Sequence, residues 1–221
     1  MRRKFTWLLL VALVAIVPAS RGYALTSQEA SELVRELGQF AAAIDPGFRS
    51  DTGERVPAEQ RREALYKRLR TLGGAAVPAL RSGLSDADVQ VRRNVALYLG
   101  FEGGNYAKHA AEPLDLAPFL PELAGSLRDA DERVRELSAQ ALGHVGPAAV
   151  IAVPDLLRML VDPSEGLRNS ACIALAGIGP AARAALPALQ RALTDESPDV
   201  RKFAQRAIDR ITAQNQAAAS K

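Results

Sequence analysis

The chain has 221 residues, 48% hydrophobic and 24% charged, an ordinary balance for a soluble globular protein. Aromatics make up only 5%, so a core must come from Leu, Val, Ile and Ala, which favours closely spaced helices over a sheet. The formal charge of +3 arises at the start: residues 1–24 hold Arg2, Arg3, Lys4 and Arg21 and no acid, and without them 24 basic and 25 acidic residues leave a net of −1. A polyanion binder needs a basic face, and that balance does not suggest one, which argues against nucleic acid as a partner.

The first stretch pairs a basic head (Arg2, Arg3, Lys4) with an apolar run, Trp7 to Val17, and a small-residue exit, Pro18 to Ala24. This layout predicts a secretory signal over 1–24, with Ala24 at the cut, and a periplasmic or secreted protein that meets the membrane only transiently. The rival is an uncleaved anchor, but the apolar core is shorter than the roughly 20 residues that span a bilayer. No cysteine near the cut supports lipid attachment.

From Leu25 to Ile44, Leu33, Leu37, Phe40 and Ile44 recur at helical spacing behind a Thr26 or Ser27 N-cap, and Asp45-Pro46-Gly47 ends the helix. A second helix starts near Pro57 and stops before Gly73-Gly74. Residues 25–71 are therefore expected to form a degenerate first repeat or a cap over one end of a stack.

From Leu72 to Ile211 the chain repeats itself. A proline recurs at Pro78, Pro121, Pro154 and Pro187, an aspartate at Asp86, Asp129, Asp162 and Asp195, and an apolar-arginine pair at Val91-Arg92, Val134-Arg135, Leu167-Arg168 and Val200-Arg201. All three columns keep steps of 43, 33 and 33 residues. Columns holding register at such a period signal a solenoid. Each unit divides into two helices. The first carries leucines (Leu80 and Leu84 in the first unit), and the second starts at an N-cap residue: Asp88, Asp131, Ser164 or Ser197. Leu99, Leu142, Leu175 and Ile208 share the core face of the second helices, and Gly103, Gly146 and Gly179 end them. Residues 212–221, rich in Ala, Gln and Ser, read as a flexible tail.

The run Gly146-Pro147-Ala148-Ala149, Val153-Pro154-Asp155-Leu156, then Asp162, Leu167-Arg168 and Ala174 to Gly179 resembles HEAT repeats, and more narrowly the short HEAT-like repeats of phycobilisome lyases. The resemblance covers Leu72 to Ile211. It implies an all-α, right-handed α–α superhelix of about four helical hairpins, in which the second helices line the concave face. Chromophore lyases, scaffolds and, more distantly, DNA-repair glycosylases share such repeats, so it points to fold more than to activity.

The repeated Asp and Arg, six residues apart in every unit, read as a structural ladder, because a catalytic site needs its residues once. The guanidinium can reach the turn's carboxylate or its free carbonyls. His109 and His144 fit no metal spacing, and no phosphate-cradling loop or nucleophile elbow is present. Cys172 has no cysteine to pair with and reads as a small buried residue. The expectation is a protein with no catalytic residue, no metal and no cofactor. At about 100° per residue the second helices turn Arg93 and Leu97, Glu136 and Gln140, Asn169 and Ile173, and Lys202 and Arg206 away from the packed side. These residues form the candidate face for another protein or peptide. The ten-residue excess between the first two units, within Phe101 to Leu116, offers a candidate binding loop with Tyr106, Lys108 and His109. A lyase-like protein that handles a chromophore is the competing reading, and a nucleic-acid-binding solenoid the third.

Overall fold

The computed structural model describes residues 27–39, 57–104 and 114–219. The signal segment, the Asp45-Pro46-Gly47 stop and the loop residues Tyr106, Lys108 and His109 lie outside them.

Every regular element among the described residues is helical. An opening pair, α1 (Ser27–Leu37) and α2 (Pro57–Leu72), is followed by four hairpins: α3 (Val77–Gly83) with α4 (Val89–Gly103), α5 (Leu120–Ser126) with α6 (Glu132–Val145), α7 (Val153–Met159) with α8 (Glu165–Ile178), and α9 (Leu186–Ala192) with α10 (Pro198–Ala219). Helix α1 stops at Leu37, short of Ile44, and Gly38 follows in a turn. A side chain at Gly38 would lie 2.5 Å from Val91 Cγ2, so the close approach of the α1 end to α4 requires glycine there. Helix α1 packs on α3 and α4, as a first repeat would. At the other end α10 runs on to Ala219, past the expected limit at Ile211, through alanines and glutamines that favour helix.

Each column proline occupies the second position of a seven-residue helix, where its missing N–H leaves no hydrogen bond unmade. A short 3₁₀ segment precedes each, so the prolines also mark a change of helix type. Gly146 (φ 76°) and Gly179 (φ 66°) take left-handed backbone at the ends of α6 and α8, which a Cβ would oppose. Glu132–Met159 and Glu165–Ala192 are each long and apolar enough to cross a membrane by composition. Each is broken at its glycine and spends its apolar side on neighbouring hairpins.

The core is continuous along the stack. Leu80, Leu123, Leu156 and Leu189 from the first helices meet Leu99, Leu142 and Leu175 from the second, all buried. Tyr98, Ala141, Ala174 and Ala207 are buried in a column that is mostly small. Small residues allow α6 and α8 to approach until a Cβ on Gly177 would stand 2.2 Å from the Gly143 carbonyl oxygen. Successive second helices pack on one another along their length, whereas successive first helices touch mainly through the 3₁₀ segments.

Candidate functional site

The candidate face lies on the second helices, and a ladder of charged side chains ties their first turns together. Arg92 donates to Asp86 and Ala87 carbonyls in its own turn (2.8 and 3.2 Å) and reaches forward to both oxygens of Asp129 in the next unit (2.8 and 3.1 Å). Arg168 repeats this arrangement with Asp162 and Pro163 carbonyls behind and Asp195 ahead. Arg135 and Arg201 cap their own turns in the same way. Each ladder aspartate also accepts from the backbone N–H two residues on, at Asp88, Asp131, Ser164 and Ser197. The ladder is structural, as its repetition implied, but the carboxylate an arginine grips belongs to the following unit. Burial raises the Asp195 carboxyl, while Arg168, the Ser197 N–H and the charges of Arg168 and Arg201 outweigh it and leave it below the ordinary value.

A second ladder runs through the N-caps. Asp88 and Asp131 accept from Gln90 and Val134 N–H groups (2.8 and 3.0 Å). Ser164 starts α8 by backbone position, but its hydroxyl turns to Glu132 of the preceding unit instead of capping. The Ser197 hydroxyl does both: it donates to Glu165 (2.6 Å) and accepts from the Val200 N–H (3.4 Å) as an N-cap.

The face expected to bind a partner divides into two halves. Arg93 is half-buried and grips both oxygens of Asp131, holding that carboxyl below its usual range. Leu97 does not reach the surface: it is 6% exposed and belongs to the core, where burial of an apolar side chain is favourable. Glu136 is taken by Arg133 (2.8 Å) and fills the space beside Gly166. These residues are committed to the fold. The remainder lies open. Gln140 and Asn169 are half-buried, and Asn169 Oδ1 is buried with no hydrogen-bond partner among the described residues. Ile173 is 38% exposed. Lys202 and Arg206 are exposed and form no ion pair among the described residues, Arg206 lying 6.0 Å over the Phe203 ring. Arg210, one further turn along the same stripe, was missed; the four-residue step from Lys202 to Arg206 extends to it.

Cys172 is buried, and burial together with the charge of Asp195 pushes its thiol up to about 12, so it is inert packing. His144 is exposed in the last turn of α6, against Gly103 and Gly104 at the end of α4. Among the described residues no three His, Cys, Asp or Glu side chains converge as metal ligands.

The HEAT-repeat family model matches residues 153–220. No curated protein matches the chain. Among solved structures, an engineered protein aligns at TM-score 0.58 and 20% identity over 91% of this chain and 96% of its own. A designed armadillo repeat protein in complex with the peptide (KR)4 aligns at 0.57 and 22%, covering 83% and 82%. The complex of CpcE and CpcF of phycocyanin lyase from Nostoc sp. PCC7120 aligns at 0.54 and 24%, covering 89% of this chain and 69% of that one. The fold is thus the α–α solenoid of the armadillo and HEAT kind, with a HEAT-repeat match over its last two hairpins.

Proposed function

We propose that the protein is an exported, non-catalytic scaffold that binds another protein through the inner face of its last two hairpins. The observation that carries this reading is Ile173, apolar and exposed, beside Lys202 and Arg206, which are exposed and form no ion pair among the described residues. An exposed apolar residue next to uncompensated charge suits a partner segment that buries one and neutralises the other. A designed armadillo protein of this fold holds a lysine–arginine peptide. Here the cations are on the solenoid, so the partner segment is acidic. Export rests on the basic head, apolar run and small-residue exit of residues 1–24.

The test is affinity capture from the periplasmic or secreted fraction with the mature chain and with I173R/K202E/R206E. The expected result is a protein retained by the first, lost by the triple variant, and released progressively with salt. Identical retention by both would remove this face from consideration. Mass analysis of the exported chain should give an N-terminus at Leu25.

A further inference from the structure

The crossing between the opening pair and the first hairpin is built unlike the rest of the stack. In the later hairpins the column of Tyr98 holds Ala141, Ala174 and Ala207, and the column of Glu102 holds Val145, Ile178 and Ile211. Small and apolar residues suit helices that close-pack, as α6 and α8 do. On α4 the same two positions carry a phenol and a carboxylate, and α2 answers them with Tyr66 and Arg70. The Tyr66 and Tyr98 rings lie 4.9 Å apart between centroids, and Arg70 Nε lies 3.0 Å from Glu102 Oε1. The backbones of α2 and α4 stay apart, so long side chains bridge them.

Glu102 is the costly member of this joint. It is 2% exposed, whereas the Arg70 side chain keeps 30% of its surface in water, so the pair is buried on the carboxylate's side alone. The Tyr66 and Tyr98 hydroxyls are buried too, and neither has a hydrogen-bond partner among the described residues. The titratable and charged groups around the carboxyl are Arg70 and Tyr66 from α2, with Arg62 facing Tyr66, and Tyr98 from α4 itself. His144 comes from α6 and lies against Gly103 and Gly104 at the end of α4. Leu116, ahead of α5, is apolar, as are the faces that α1 and α3 turn into the core.

We propose that Glu102 is a proton-operated joint: taking up a proton seats α2 more firmly on α4, and losing it loosens α2 while the four hairpins stay stacked. A buried carboxylate is unfavourable, and a neutral carboxyl removes that cost while gaining a donor that a phenol oxygen can accept. The opposing effect is the attraction of Arg70, which is weakened by the water that reaches the guanidinium. Burial accordingly outweighs Arg70 and holds the carboxyl above its ordinary 4.5. With the folded value raised, the stability gained by the joint is complete below the ordinary value and is lost as pH rises through the folded one. Helix α2 is the element able to yield, because its backbone packs mainly on α1 and on the 3₁₀ segment that follows it. The joint lies at the opposite end of the stack from Ile173 and Arg206, so it does not depend on their being a binding surface.

The test is amide hydrogen exchange across the acidic range, corrected for the intrinsic pH dependence of exchange and taken relative to α8. Protection of α2 in the parent should rise several-fold from neutral pH to acid. E102Q should hold α2 at the protected level throughout, and H144Q should keep the parental dependence. Carbon-13 NMR of the Glu102 carboxyl in the parent, which needs no variant, should show it titrating above the exposed glutamates and over the range in which α2 loosens. Flat protection of α2, or protection that falls in acid, would overturn the proposal. So would a pH dependence that survives E102Q or disappears in H144Q, or a Glu102 midpoint no higher than those of exposed glutamates.

Discussion

At the scale of single residues, the arginines of the ladder do unequal work despite identical columns. Arg168 makes five hydrogen bonds and joins two units, and its side chain is 8% exposed. Arg201 caps only its own turn. R168M removes the guanidinium from the Asp195 carboxylate and from two carbonyls and should cost about 3 kcal/mol in urea unfolding, whereas R201M should cost about 1 kcal/mol. The six-residue spacing of Asp and Arg was legible in the sequence. The grip on the next unit was not, because it joins residues 37 positions apart at Arg92–Asp129 and 27 at Arg168–Asp195. Glu102 makes the opposite case. Its carboxyl is 2% exposed and 3.0 Å from Arg70, yet burial outweighs Arg70 and raises it above its ordinary 4.5. A carboxyl raised in the folded state adds stability below its unfolded value and loses it as pH rises through the folded value. E102Q should therefore gain on the parent as pH climbs from below 4.5 toward neutrality, read as the difference in melting temperature across that range.

At the scale of helices, the legible signals were those that act locally. Prolines at helix starts, glycines at helix ends and the leucine periodicity placed the helices of the four hairpins, because each constrains backbone within a few residues. Failures came where a neighbouring helix decided the outcome. Leu97 occupies the same column as exposed Ile173 but is covered at its end of the stack. Ser164 had the right residue type for a cap, yet Glu132 of the adjacent hairpin claimed its hydroxyl. Glycines inside the second helices show the same dependence. Gly177 sits where a methyl group would meet the Gly143 backbone at 2.2 to 2.7 Å, whereas a methyl on Gly100 would lie 3.7 Å from the Leu137 carbonyl, an ordinary contact. G177A should force α6 and α8 apart and cost about 2 kcal/mol. G100A should stabilise by about 0.5–1 kcal/mol, since alanine favours helix. Paired thermal melts of the two variants would show opposite signs; equal signs would refute the close crossing at Gly177.

At the scale of the whole molecule, the repeat period was enough to establish a solenoid, since four hairpins in register have few other ways to bury one apolar side each. The same construction limits how far a disturbance travels. Each hairpin rests on its neighbours, the three extensive contacts between second helices being α4 with α6, α6 with α8, and α8 with α10. Stability then approximates a sum of hairpin and nearest-neighbour terms, and opening can be local. Among the described residues the last hairpin has one such neighbour, and its other flank carries polar residues, with Gln205 in the column of Cys172 bonded to Asp209 (2.8 Å). Arg168 supplies much of what fastens it, through Asp195 and Glu196 at the α9–α10 turn. In amide hydrogen exchange, R168M should raise rates through α9 and α10 several-fold, raise them less in α7 and α8, and leave α3 and α4 unchanged. A uniform rise from α1 to α10 would mean that the stack opens as one cooperative body, with the hairpins coupled more strongly than nearest-neighbour contacts allow.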